Sequence, residues 1–301
     1  MGYRFTKKES VRGGVRRMAH ELLDTATRDL GGESQRDLAT AIHETRRTFK
    51  KIRAILRLVQ PELGKEVYSS DNAFIRDASR QLSGLRDAKV LVATMDRLIE
   101  AYPNEVDGQA VGAVRGVLQR RLQTSLEGME DQDLLPTMTQ LIDEAGRRVA
   151  RWSLRHGGWR ALQPGLGRVY RLGSRAHASV LNKPTDASFH EWRKQAKYLY
   201  YHVRVLGRIR PKKMKPLAAQ LDELTEALGD ANDLSVLQIL LIEQGEEWLD
   251  QTQLDELLNL IKTRRCDLLD IARELGSRIF REKPNRFVKR LDTDWKAWRR
   301  R

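Results

Sequence analysis

The sequence has a single cysteine, Cys266, among its 301 residues. One thiol cannot form an internal disulfide or a zinc cluster of thiolates, and this shortage is typical of proteins in the reducing cytosol. No stretch is apolar over enough residues to span a bilayer. We therefore expect a cytoplasmic protein without disulfides and without a membrane partner.

Motifs of the common enzyme families are also missing. The sequence has no phosphate-binding G-x-x-x-x-G-K-[ST] loop, no G-x-S-x-G and no H-E-x-x-H, and its six histidines show no metal-ligand spacing. One interpretation of the acidic residues between Asp222 and Asp233 is that they bind Mg²⁺. We favour a solvated helix face, with Asp233, like Asp87, as a helix N-cap. We expect no enzyme, no catalytic residue, no metal and no cofactor.

Acidic residues are fewer than basic ones. The chain has 55 Lys and Arg against 41 Asp and Glu, which gives a formal net charge of +14 and a pI near 10.0. A surplus of this size favours phosphate-rich partners, namely nucleic acid, polyphosphate or an anionic membrane surface.

Strand-like alternation is nearly absent, whereas apolar residues recur with the helical period along the whole chain. This pattern predicts an all-α protein built from antiparallel helical bundles. We predict a tail at 1–10, a first half at 11–156 and a second half at 157–301, packed together as one domain. The predicted helices are 11–30, 35–60, 65–84, 88–101, 108–128, 133–155, 161–181, 187–209, 213–229, 233–245, 250–280 and 286–299.

One predicted helix carries cations of a single sign along one face. The segment FHEWRKQAKYLYYHVRVLGR begins at Phe189, after the cap candidates Thr185 and Ser188, and Ser188 with Glu191 forms a capping-box pattern. Because like charges along a helix face repel, such a stripe indicates a polyanionic partner. The stripe residues are His190, Arg193, Lys194, Lys197, Arg204 and Arg208.

A second stripe repeats this layout earlier in the chain. The segment IHETRRTFKKIRAILRLV aligns with the first at an offset of 147 residues, and LSGLRDAKVL at 82–91 aligns with LGDANDLSVL at 228–237 at an offset of 146. Duplicated units often pack about a pseudo-two-fold axis, which would bring both stripes to one groove. The alternative is two independent solvated faces. The residues of this stripe are His43, Arg46, Arg47, Lys50, Arg53 and Arg57.

Further cations flank both stripes at helical spacing. Each of them either contributes to binding of the polyanion or forms an ordinary surface salt bridge. The flanking candidates are Arg12, Arg16, Arg76, Arg80, Arg86, Lys89, Arg168, Arg171 and Arg175.

His43 and His190 each open a basic stripe near a helix start, where backbone N–H groups favour an anion. A histidine there can donate a hydrogen bond to a phosphate oxygen. The other interpretations are a structural contact between helices and a phosphorylated histidine.

These segments, together with GLGRVYRLGSRA at 165–176, resemble the conserved histidine α-helical domain family, CHAD, over roughly residues 10–300. The resemblance implies two pseudo-symmetric four-helix bundles, a central basic groove that binds inorganic polyphosphate, and association with polyphosphate granules. It places groove roles on both histidines and on the Arg and Lys residues of the two stripes.

Two other functions remain as alternatives. A nucleic-acid-binding protein would need aromatic side chains on the basic face for base stacking, and only Tyr200 and Tyr201 meet that requirement. We therefore expect nucleic acid to be at most a weaker competitor of polyphosphate. A polyphosphatase or a phosphohistidine carrier is the third hypothesis.

Overall fold

The computed structural model describes residues 2–31, 38–81, 84–105, 107–130 and 134–300, and its regular structure is helical throughout these ranges. The prediction of an all-α protein is therefore confirmed. The helices are α1 Val11–Leu30, α2 Leu38–Leu58, α3 Gln60–Leu63, α4 Lys65–Gln81, α5 Gly84–Ala101, α6 Gly108–Glu130, α7 Leu134–Ala150, α8 Gly158–Asn182, α9 Asp186–Val205, α10 Pro211–Gln244, α11 Gln251–Ile279 and α12 Pro284–Arg300. A short 3₁₀ helix, Gly245–Glu247, follows α10.

The chain forms two compact units, each assembled from separate segments. Unit 1 contains 1–82, 134–223 and 275–301, and unit 2 contains 83–133 and 224–274. Each predicted half contributes segments to both units, so the compact units and the sequence repeat divide the chain differently. The described part of the chain contains no helix with the length and apolarity that a bilayer crossing needs.

Helix α2 lies at the centre of unit 1, where it packs on α1, α4, α8 and α9. Its apolar face is fully buried, with Phe49, Ile52 and Ile55 inaccessible to solvent. The charged face of the same helix reaches solvent, with His43, Arg47 and Lys50 exposed. Unit 1 also contains α7, which packs on α1, and α12, which packs on α8.

Glycines allow α8 to approach its neighbours closely. A Cβ added at Gly165 would lie 1.9 Å from the Leu58 carbonyl oxygen at the end of α2, and one at Gly173 would lie 2.8 Å from the Phe280 ring. These distances are far below van der Waals contact, so the glycines of the segment 165–176 are required by packing.

Residues 2–10, predicted as a tail, lack helix but pack against unit 1. Phe5 is buried, its backbone N–H donates to the Val205 carbonyl at 3.1 Å, and its ring meets Trp295 edge-on at 5.7 Å. Tyr3 donates its hydroxyl hydrogen to the Lys51 carbonyl at 3.0 Å. The segment thereby reaches both α2 and α9.

Three local predictions were wrong. The helices predicted at 213–229 and 233–245 are one continuous helix, α10, so Asp233 is not an N-cap. Helix α5 begins at Gly84, which places Asp87 inside its first turn instead of at the cap. Thr185 caps α9 and shares a reciprocal capping box with Ser188, so Glu191 is not the capping partner.

Candidate functional site

Helices α2 and α9 pack side by side within unit 1, joined by a buried hydrogen bond. The His202 Nε2 atom of α9 lies 2.8 Å from the Ala54 carbonyl oxygen of α2. A carbonyl only accepts, so Nε2 carries the hydrogen. We call the cations of the two helices that reach solvent the α2–α9 surface. Its members are His43, Arg47, Lys50, Lys51, Arg53, Arg57, His190, Arg193, Lys194, Lys197 and Arg204.

One group of cations on this surface surrounds Tyr201. Burial, with the positive charges of Arg47 and Arg204 nearby, lowers the pKa of Lys51. Burial raises the pKa of Tyr201 to about 12 although the same two arginines oppose the shift. The Tyr3 ring meets Tyr201 edge-on at 6.2 Å, and burial raises the pKa of Tyr3 as well. Cations from both helices therefore converge on phenols that stay neutral.

A second group surrounds Tyr198. The Arg57 guanidinium carbon lies 4.3 Å from the Tyr198 ring centroid. Burial is the main reason that the pKa of Arg53 is lowered, and Arg57 and Arg76 add to the effect. Arg53 Nε donates to Asn72 Oδ1 of α4 at 3.2 Å. This group therefore connects α2, α4 and α9.

The two groups are related by the sequence repeat. Tyr198 stands 147 residues after Lys51, and Arg204 stands 147 residues after Arg57. Lys51 interacts with Arg204, and Tyr198 interacts with Arg57. The two pairs therefore occupy equivalent repeat positions, one as a repulsion between cations and the other as a cation over a ring.

The aromatic residues of the surface have little exposed area. Tyr200 is 7% exposed and Tyr201 is 4% exposed. Lys197 Nζ lies 5.0 Å from the Tyr200 ring centroid, and Arg204 donates to the Tyr200 hydroxyl at 3.1 Å. The rings are thus covered by cations and are not open platforms for nucleobases.

Each stripe begins with an exposed histidine and a local ion pair. Arg47 lies 3.2 Å from Glu44 in α2, and Lys194 pairs with Glu191 in α9. Burial alone would raise the pKa of Glu191, but hydrogen bonds from Lys194 and Gln195 lower it overall. These pairs occupy equivalent repeat positions, so each copy supplies its own carboxylate to the second cation after the histidine.

The other predicted site residues have varied surroundings. Arg46 is only 8% exposed, so it lies within the packing of unit 1. Arg16 donates to the Trp152 carbonyl at 2.8 Å, which gives it a structural contact. Arg76 and Arg80 both lie close to Asp77, at 2.8 and 3.8 Å.

Several predicted cations are exposed but are not joined by the contacts above to the α2–α9 surface. Three of them lie on the exposed face of α8, namely Arg168, Arg171 and Arg175, and Arg12 lies on α1. Lys89 belongs to unit 2, and the side chain of Arg86 lies outside the described residues.

Sequence reasoning missed Lys51, the N-terminal segment and the pocket beside Arg204. A pocket of about 390 Å³ there is lined by Arg4, Arg204, Arg208 and Lys215. Lys51 sits at the edge of the charged face of α2, so its spacing gave a weak signal. Arg4 and Lys215 reach the pocket through tertiary packing, for which the helical period gives no signal.

Two carboxylates of the acidic run of α10 face a single cation. Asp230 and Asp233 lie 3.4 and 3.9 Å from Arg97 in unit 2. Among the described residues, no group of three or more His, Cys, Asp or Glu side chains has an arrangement suited to a metal ion.

Comparison with known proteins finds one family model and three chains among the solved structures that match. The family model described as CHAD domain matches residues 17–242 of this chain. The crystal structure of the CHAD domain from the plant Ricinus communis has a similar fold, with a TM-score of 0.65 and 18% sequence identity, covering 98% of this chain and 94% of that chain. No curated protein matches this sequence.

Proposed function

The chain belongs to the CHAD family, and on that premise we propose that it binds inorganic polyphosphate, without catalysis, in a groove at the α2–α9 surface. The family resemblance suggests the ligand, and the observation that carries the proposal is the convergence of Arg47 and Lys51 from α2 with Arg204 from α9. Burial and mutual repulsion lower the pKa of Lys51, and a bound polyanion would relieve that repulsion.

The chemistry of the surface suits a bare phosphate strand. Polyphosphate carries about one negative charge per unit and has no bases, so it requires cations and hydrogen-bond donors only. Guanidinium groups such as those of Arg47 and Arg204 can donate two hydrogen bonds to phosphate oxygens, whereas lysines act as point charges. Exposed His43 and His190 stand at the start of each stripe and can add a donor.

The buried tyrosines favour polyphosphate over nucleic acid. Single-stranded nucleic acids gain much of their affinity from bases stacked on aromatic rings. Tyr200 and Tyr201 are covered by Lys197 and Arg204, so they offer no open ring face. We expect single-stranded DNA at equal phosphate concentration to compete weakly against labelled polyphosphate. Stronger competition by DNA would reverse the ranking of the two functions.

Charge reversal at repeat-equivalent positions tests the proposed groove. Arg47→Glu in α2 and Lys194→Glu in α9 each place a carboxylate on an exposed position of the surface. Each should weaken binding of long-chain polyphosphate about tenfold or more, which corresponds to about 1.4 kcal/mol. The measurement is a binding titration at fixed salt.

Arg300→Glu, at the exposed end of α12, is the matched control because it changes the net charge by the same amount. It should alter the affinity less than twofold. Equal losses of polyphosphate affinity in all three variants would mean diffuse attraction to a basic protein and would contradict the proposed groove. Release of orthophosphate by the wild-type protein would contradict the non-enzymatic part of the proposal.

We extend the proposal to the cell. Granules rich in polyphosphate would attract a cytoplasmic protein that holds such chains in a groove. A fluorescent fusion should then co-localise with granules, and the Arg47→Glu, Lys194→Glu double variant should be diffuse. Unchanged localisation of that variant would separate granule association from the α2–α9 surface.

A further inference from the structure

A second basic pocket lies in unit 1, lined from α10, α11, α12 and the α11–α12 connection. Its volume is about 790 Å³, within the range of small-molecule sites. Six of its twelve lining residues are cationic, and Glu282 is the one carboxylate among them. The cations are Lys212, Lys213, Arg278, Arg281, Arg286 and Arg290.

This pocket is separate from the pocket beside Arg204. Both pockets use the first turns of α10, but they use opposite sides of it. Lys213, Leu217 and Gln220 line the second pocket, whereas Pro211, Ala218 and Asp222 line the first. At 100° per residue these two sets point about 150° apart. An anion in one pocket is therefore not in contact with the other.

Three of the six cations stand at helix N-termini, where the helix dipole disfavours them. Lys212 and Lys213 lie in the first turn of α10, and Arg286 lies in the first turn of α12; neither turn contains an acidic residue. The N-terminal end of a helix carries a partial positive charge, so cations there reduce the stability of the empty protein. A bound anion would offset both the dipoles and the repulsion among the side chains.

The floor and one wall of the pocket are rigidly held. Phe287 is buried and stacks on Tyr170 with ring centroids 4.0 Å apart. The Tyr170 hydroxyl donates to the Ile279 and Glu282 carbonyls at 3.1 and 2.9 Å, which fixes the connection between α11 and α12. Arg290 Nη2 donates to Glu282 at 2.8 Å and lies over the Phe287 ring. Phe287 is only 2% exposed, so its ring offers no stacking place for a nucleobase.

We propose that this pocket binds a compact triphosphate group, independently of the α2–α9 surface. One carboxylate against six cations leaves a strong surplus of positive charge, the pocket volume suits a small ligand, and the buried Phe287 ring favours a phosphate chain without an attached base. The proposal goes beyond binding of long polyphosphate and does not depend on it.

The probe is inorganic tripolyphosphate, titrated against the full chain by calorimetry. The pocket variant Lys213→Glu, Arg281→Glu changes two exposed side chains and should weaken binding at least tenfold. The surface variant Arg47→Glu, Lys194→Glu and the control Arg160→Glu, Arg300→Glu carry the same charge change and should each stay within about threefold. Circular dichroism checks that every variant folds, and Arg281→Gln provides a milder change expected to weaken binding about threefold.

Unchanged tripolyphosphate affinity in the pocket variant would overturn the proposal. So would equal losses in the pocket and surface variants, because the short chain would then bind at the α2–α9 surface. ATP provides a second arm: similar affinity for ATP and tripolyphosphate supports recognition of the triphosphate, and binding of ATP alone would overturn it. Titration of the surface variant with long-chain polyphosphate tests the proposed groove separately.

Discussion

At the scale of single residues, His202 combines a structural role with sensitivity to pH. It is inaccessible to solvent and connects α9 to the α2 backbone through Ala54. Burial, assisted by the nearby charge of Arg57, lowers the pKa of His202 to about 4. The folded protein therefore keeps this imidazole neutral at pH values where an unfolded chain would protonate it.

Acid should therefore destabilise the protein through His202. The folded-state pKa is below the unfolded value of about 6.5, so the unfolded state binds the extra proton between the two values. The stabilisation that comes from neutral His202 is fully present above about pH 6.5. It is lost as the pH falls toward 4, and the total loss is roughly 3 kcal/mol. Chemical denaturation at several pH values measures it.

His202→Gln is the informative variant, because its amide keeps a donor for Ala54 but does not titrate in this range. The slope of unfolding free energy against pH between 4 and 6.5 should become shallower than in the wild type. The same slope in both proteins would show that other groups dominate acid unfolding.

Gly165 is the second residue with a measurable role. An added methyl group would collide with the Leu58 carbonyl oxygen at the contact between α8 and α2. We expect Gly165→Ala to lower the free energy of unfolding by about 1–3 kcal/mol, since backbone must move to admit it. Gly146→Ala in α7 is the control: nothing lies within 4 Å of the added atom, so higher helix propensity should stabilise by about 0.5–1 kcal/mol. Stabilisation by both changes would contradict the close approach.

At the scale of elements, the N-terminal end of α9 depends on Thr185. Its side chain accepts from the Ser188 N–H at 3.2 Å, and the Ser188 hydroxyl accepts from the Thr185 N–H at 2.9 Å. Thr185→Ala should cost about 1 kcal/mol of stability, whereas Thr185→Ser should cost little because it keeps the acceptor. Thermal unfolding compares them. Equal melting temperatures for the two variants would show that the Thr185 side chain does not stabilise the start of α9.

Sequence patterns predicted the helices well where burial and local signals agree. The bounds of α1 were predicted correctly, because Ser10 caps it and its apolar residues keep one period to the end. Helix α10 shows the limit. Asp233, as an N-cap candidate, indicated a break after residue 229, but Leu228, Ala231 and Leu234 continue the buried face across it despite Gly229. Tertiary burial outweighs the cost of about 1 kcal/mol for an interior glycine.

The candidate site was predictable only in part. The charged faces of α2 and α9 follow from helical spacing, which predicted most cations of the α2–α9 surface. The inward position of Arg46 and the burial of Tyr200 and Tyr201 depend on which neighbours pack against each helix. Tyr3 and Arg4 come from a segment without periodicity, so no pattern placed them beside α2 or α9.

At the scale of the whole molecule, the net charge of +14 makes binding sensitive to salt. If about ten phosphates are neutralised, the logarithm of the association constant should fall against the logarithm of salt concentration with a slope near −7, using the value for single strands. Titrations between low and physiological salt measure this slope. A slope near −1 would mean that one or two charges carry the binding, which a long groove does not allow.

The carboxylates at the start of each stripe have a consequence for selectivity. Glu44 and Glu191 would compete with a bound phosphate, because each already forms an ion pair with a cation of the proposed groove. A single orthophosphate gains too little to displace them, whereas a chain that engages many cations at once spreads that cost over its length. The protein should therefore bind polyphosphate in preference to abundant orthophosphate. The double variant Glu44→Gln, Glu191→Gln should lower the ratio of the two affinities.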